Sequence, residues 1–116
     1  MRIELPWPDA SLFPNRANGQ HWGKVRKARD AAKHIGYVMA KGKQASGRCL
    51  VMEIHPPDKR RRDLDGILSA CKNTIDGMCA ALGFDDSEIN PLILIRKPPV
   101  KSGKIIFYFV EKYPLQ

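Results

Sequence analysis

Residues 63–83 read DLDGILSACKNTIDGMCAALG, and this stretch decides the fold. Leu64, Ile67, Leu68, Cys71, Ile75, Met78, Cys79 and Leu82 recur at the i, i+3, i+4, i+7 spacing of one helix face. The spacing predicts a helix from Leu64 to Leu82. Asp63 stands at its N-cap position, Asp65 in its first turn, and Gly83 where a C-cap glycine belongs. Capping and the helix dipole, at most ~1 kcal/mol, account well for one aspartate and adequately for two. They give no reason for the four basic residues Lys59, Arg60, Arg61 and Arg62 placed directly before them.

Working outward, Cys49–His55 (CLVMEIH) reads as a buried strand closed by Pro56 and Pro57. Before it, from Trp22 to Lys41, a second helical pattern puts Val25, Ala28, Ala32, Ile35 and Met39 on one stripe. Lys24, Arg26, Lys27, Arg29, Lys33 and Lys41 give that helix a basic exterior, either a solvated face or a phosphate-contacting one. Residues 9–20, rich in Pro, Asn, Gly and Ser, read as a loop. Arg2 to Trp7 alternates, with Ile3, Leu5 and Trp7 on the buried side of a short strand. Downstream, strands are expected at Leu92–Arg96 and Lys104–Glu111. The Pro/Ser/Gly turn Lys97–Gly103 between them suggests an antiparallel hairpin. The order is β-α-β-α-β-β, an α/β chain of the α+β two-layer kind: a small mixed β-sheet with two helices packed on it. Residues 1–116 are expected to form one domain.

Twenty Lys and Arg against twelve Asp and Glu give a net charge of +8 and a pI near 9.7. That excess suits a polyanionic partner such as nucleic acid. Cys49, Cys71 and Cys79 are odd in number, lie in or beside apolar runs and include no C-x-x-C pair, which argues against a disulfide framework or a zinc site. They are expected to be reduced and mostly buried, as in a cytoplasmic protein. MRIELPWP carries no apolar leader-like run, and no segment approaches membrane-spanning length. His21, His34 and His55 are not spaced as a ligand set.

Six of the twelve acids, Asp63, Asp65, Asp76, Asp85, Asp86 and Glu88, fall within residues 63–88 of an otherwise basic chain. Gathered carboxylates repel unless neutralised, and a divalent cation is the usual neutraliser. An all-oxygen donor set suits magnesium or manganese rather than zinc. Two carboxylates at a loop–helix junction can face one point. A helix of about 19 residues spans roughly 28 Å, so Asp85 and Asp86 begin at its far end. A third ligand from there requires the chain to turn back along the sheet, or another subunit to supply it. Lys72, seven residues after Asp65 on the same face, either stabilises charge on a phosphate or pairs with Asp76 at i+4.

Lys59–Asn90, KRRRDLDGILSACKNTIDGMCAALGFDDSEIN, closely resembles the core motif of the RusA-type Holliday-junction resolvases: a basic run, D-x-D, a helix carrying a lysine, then a D-D element. The L-P-W-P of Leu5–Pro8, the Asn-containing loop after it and the overall length are similar too. The resemblance implies a homodimeric, magnesium-dependent endodeoxyribonuclease, with manganese able to substitute. Such an enzyme binds DNA four-way junctions and resolves them by paired nicks in recombination and repair, in the cytoplasm of a bacterial or phage-infected cell. Carried over by position, the catalytic residues fall on Asp63, Asp65, Asp86 and Lys72, and the three aspartates are also the metal ligands, with Asp85 the alternative third member. Lys59, Arg60, Arg61 and Arg62, with Lys24 and Lys27, become the DNA-binding residues. No small-molecule cofactor and no membrane partner are implied. The chain departs from the pattern at Gly66, where some members carry asparagine, and at Ser69, where some carry the lysine. The alternative is a non-catalytic nucleic-acid-binding module on the same fold.

Overall fold

A computed structural model describes residues 1–14 and 22–114 of the chain. Residues 15–20 of the loop read over residues 9–20, and His21, lie outside the described residues. The described part of the loop contains a short 3-10 turn at Ala10–Leu12. The fold is α+β, a four-stranded mixed sheet and two helices. The strands are β1 (Arg2–Pro6), β2 (Cys49–His55), β3 (Leu92–Arg96) and β4 (Lys104–Val110); the helices are α1 (Trp22–Ala40) and α2 (Leu64–Leu82). The chain divides into two compact units. One is the sheet, with residues 1–7, 43–60 and those from Asp85 onward; the other is helical, drawn from Pro8–Gly42 and Arg61–Phe84.

The sheet order is β1-β4-β2-β3. β4 runs antiparallel to both neighbours, with Ile3 opposite Phe107 and Met52 also opposite Phe107, whereas β2 and β3 are parallel, with Met52 opposite Leu94. The expected β3–β4 hairpin is therefore absent. A parallel β3 ends beside the end of β2, and the chain must step over β2 to continue. It does so by donating Lys97 N–H to Ile54 O (2.9 Å) and Val100 N–H to Pro56 O (3.0 Å). Gly103, with φ +72°, completes the reversal into β4. Seven residues containing the donorless Pro98 and Pro99 suit this crossing better than a tight hairpin. The strand so placed is the apolar KIIFYFV, whose Ile105, Ile106, Phe107 and Phe109 are buried. The shorter, more exposed β1 and β3 are left at the edges.

In the helical unit, α2 matches its predicted bounds. Its C-cap is Gly83, at φ 88°, donating its N–H to Cys79 O. α1 also forms as expected, but its buried line is not the predicted stripe. Val25, Gly36 and Ala40 are buried, while Ile35, Val38 and Met39 are 48%, 52% and 38% exposed. The cause is closeness of approach. A Cβ on Gly36 would stand 2.1 Å from Thr74 O, and one on Gly77 would stand 2.0 Å from Lys33 O. The two helix backbones touch, so the contact selects the smallest residues of α1 rather than its largest apolar ones. Among the described residues no helix is long and apolar enough to cross a membrane.

Candidate active site

After Pro56–Pro57, Asp58 Oδ1 accepts the Arg60 N–H at 2.8 Å. Asp63 follows in extended conformation (φ −83°, ψ 138°) as the N-cap residue of α2. Its carbonyl accepts from Ile67 N–H at 3.3 Å, yet its side chain makes no capping hydrogen bond. The capping explanation of Asp63 thus covers its backbone and leaves its carboxylate uncommitted to the helix. Asp65, within the first turn, accepts the Gly66 N–H at 3.0 Å through Oδ1. That satisfies one of the donors a helix start leaves open.

Both carboxylates are exposed, and both line one cleft of about 380 Å³ with Phe13, Pro14, Arg61, Arg62, Gly66 and Ile67. Two guanidinium groups and the positive end of the helix dipole surround two acidic side chains. Such a mixed site can take a cation on its carboxylates and an anion on its arginines together. A Cβ on Gly66 would meet nothing within 4 Å, so the residue standing where some resolvases have asparagine leaves this cleft open.

Lys72 lines a neighbouring cleft with Leu12, Pro14, Arg29, Ser69, Asn73 and Asp76, and does not line the aspartate cleft. Asp85 and Asp86 belong to the sheet unit, while Asp63 and Asp65 belong to the helical one. Asp85 is the N-cap of a 3-10 turn at Asp86–Glu88. Its Oδ2 accepts Ser87 N–H at 2.9 Å, and Glu88 Oε2 accepts its own N–H at 3.0 Å. The Ser87 hydroxyl, then the Ser87 N–H, hold its carboxyl below the ordinary value of 3.8. Asp86 is exposed and takes no part in this box. Glu88 also lies 3.8 Å from Arg48. Among the described residues, no three His, Cys, Asp or Glu side chains are gathered closely enough to hold a metal. The carboxylates brought together are therefore the pair Asp63 and Asp65.

Of the basic residues, Arg61 and Arg62 line the aspartate cleft. Lys59 and Arg60 are exposed in the sheet unit, and Lys24 and Lys27 are exposed on α1. Two features escaped the sequence reading. Arg29, exposed on α1, lines the Lys72 cleft. Arg26 stands over the ring of Trp22, 5.3 Å from its centroid, with Trp22 itself 72% exposed. The i+4 spacing of Trp22 and Arg26 could have signalled the second. Nothing in the local pattern marks the first, because it depends on how closely α1 meets α2.

No family model matches the chain. It is similar along nearly its whole length to curated proteins named crossover junction endodeoxyribonuclease RusA. The RusA of Escherichia coli K12 is 27% identical over 113 residues, covering 94% of this chain and 92% of its own. That of Shigella sonnei is 27% identical over 120 residues, with the same two coverages. The whole-chain similarity agrees with the RusA-type resemblance carried by residues 59–90.

Proposed function

We propose that residues 1–116 act as a single metal-dependent, structure-specific endonuclease domain that cuts DNA four-way junctions by paired nicks, as a homodimer. The observation that carries this is the pairing of Asp63 and Asp65, exposed at the start of α2 in one cleft with Arg61 and Arg62. Whole-length similarity to RusA supports the substrate class, and the net charge of +8 supports a polyanionic one.

Two carboxylates with water and a substrate phosphate form a donor set that suits magnesium, and manganese after it, so the residues present fit such an ion. Asp63 and Asp65 would hold it, and Asp86 is the third member proposed. When bound, it supplies a water of lowered pKa and charge neutralisation at the phosphate. Arg61 and Arg62 grip the phosphodiester through charge-assisted hydrogen bonds and keep its phosphorus beside the carboxylates. Water oxygen adds to phosphorus and gives its proton to solvent, while the scissile P–O bond breaks with its electron pair passing to the departing sugar oxygen, which takes up a proton from solvent. Lys59, Arg60, Lys24 and Lys27 hold neighbouring phosphates, so binding weakens steeply with salt. Paired nicks need two active sites, which a two-fold dimer provides.

The test is cleavage of a synthetic four-way junction beside a linear duplex of matching sequence, with magnesium and with EDTA. Symmetrical, magnesium-dependent nicks in the junction alone, lost in Asp63→Asn and Asp65→Asn while junction binding persists, are the expected result. Tight binding without nicks in magnesium or manganese would reduce the protein to a binding module.

A further inference from the structure

Asp65, Ser69, Lys72 and Asp76 are spaced by four, three and four residues, so they follow one another along a single face of α2. The first lies in the aspartate cleft and the other three in the neighbouring cleft, and Pro14 lines both. We infer that the second cleft, about 390 Å³ and bounded by Arg29, Ser69, Lys72, Asn73 and Asp76, is a second phosphate subsite. It would take a backbone phosphate of the same DNA strand, away from the phosphate that is cut. This rests on the nucleolytic reading above.

The chemistry of the lining supports a phosphodiester. Arg29 offers a planar fork of donors, Lys72 an ammonium, Ser69 a hydroxyl and Asn73 an amide; Asp76 is the one acidic side chain among them. Two cations against one carboxylate leave the cleft positive, which fits a single-charged phosphodiester. The spacing fits as well. Seven residues of helix separate Asp65 from Lys72, roughly 10 Å of rise, or about three base-pair steps of B-DNA along its axis.

Rigidity comes from the helix contact. Arg29 enters from α1 and the other polar groups from α2, and these helices are locked by backbone contact at Gly36 and Gly77. The subsite is thus held at fixed distance along α2 from Asp63 and Asp65. Lys72 and Arg29 are accordingly positioning residues that set which phosphate reaches the aspartates.

The experiment scans single methylphosphonate substitutions along the nicked strand of a four-way junction. Binding is measured in EDTA for the wild type, Arg29→Gln, Lys72→Gln and Asp76→Asn, and cleavage in magnesium. Arg29→Gln should weaken binding of the unmodified junction about tenfold, the effect of losing one charge-assisted contact. One neutral phosphate within about three nucleotides of the cut should reproduce that loss, and Arg29→Gln should add nothing there. In cleavage the loss should fall on KM and not on kcat, Lys72→Arg should restore binding, and Asp76→Asn should tighten it. Additive losses at every methylphosphonate position, or a fall in kcat at unchanged KM, would overturn the subsite. An active wild type with unaffected Arg29 and Lys72 variants rejects the subsite alone, whereas a wild type that neither binds nor cuts the junction rejects the nucleolytic reading itself.

Discussion

Asp85 and Glu88 close a reciprocal cap on the 3-10 turn Asp86–Glu88. Asp85 Oδ2 accepts from Ser87 N–H at 2.9 Å while Glu88 Oε2 accepts from Asp85 N–H at 3.0 Å. The D-D element is thereby divided by role, because one aspartate is committed to backbone donors and its neighbour is not. Asp86→Asn is expected to lower junction cleavage by roughly 100-fold or more, the scale of losing one electrostatic stabiliser of a transition state. Asp85→Asn should cost far less activity and show instead as a lower thermal midpoint. Parallel kinetics and melting curves decide between them, and a reversed pattern would make Asp85 the working residue.

Acid stability depends on two such caps. Asp9 is held below its ordinary 3.8 by the Ser11 hydroxyl and then the Ser11 N–H, and Asp85 is held below by the hydroxyl and N–H of Ser87. A carboxyl with a depressed folded pKa contributes stability that is complete above its unfolded value and lost as pH falls through the folded one. Both contributions are therefore intact at neutral pH, begin to be lost as pH falls below about 4, and are gone once it has passed below the depressed folded values. Ser11→Ala and Ser87→Ala should each be less stable than the wild type at pH 7, and the gap should narrow toward pH 2. Urea unfolding at several pH values reads this directly; a gap independent of pH would remove the carboxylates from the account.

Much of the fold was legible because periodic patterns are local. The spacing of Leu64 to Leu82 returned α2 to the residue, and CLVMEIH returned β2. Asp63 and Asp65 were legible as a pair because both sit within one turn of a helix start. Non-local facts were not legible. The partner of β3 depends on the chain crossing β2, which a Pro/Ser/Gly turn does not announce. The buried line of α1 depends on Gly77 of another helix, so Ile35 and Met39 were read inward although they face solvent. Arg29 was lost among the cations of α1 for the same reason. The grouping of Lys72 with Arg29, away from the aspartates, likewise arises only once the two helices meet.

The cysteines predict indifference to oxidation. All three are buried, and burial pushes the Cys71 thiol up to about 12 and raises that of Cys49. Thiolate is the reactive form, so little exists at Cys49 or Cys71 in the folded protein at pH 8, and Cys79 is shielded by its burial. A disulfide exchange reagent should label none of the three thiols within minutes under native conditions, and all three in guanidinium. Nuclease activity should be the same with and without dithiothreitol. Rapid labelling of a native thiol would show that one of them is reachable.

Three glycines of the helical unit separate packing from propensity. Alanine is favoured over glycine inside a helix by roughly 0.5–1 kcal/mol, so substitution at an unobstructed site should stabilise. Gly66 is such a site, with nothing within 4 Å of an added Cβ, whereas at Gly77 the added atom would stand 2.0 Å from Lys33 O and at Gly36 2.1 Å from Thr74 O. Backbone oxygens cannot rotate away, so the helices must part, at a cost of about 1–3 kcal/mol or more. Gly66→Ala should raise the thermal midpoint slightly, while Gly36→Ala and Gly77→Ala should each lower it by roughly 4 °C or more. Because Arg29 lines the second cleft from α1, the two destabilised variants should also lose its contribution to junction binding. Melting curves with all three raised together would mean that α1 and α2 do not meet through these glycines.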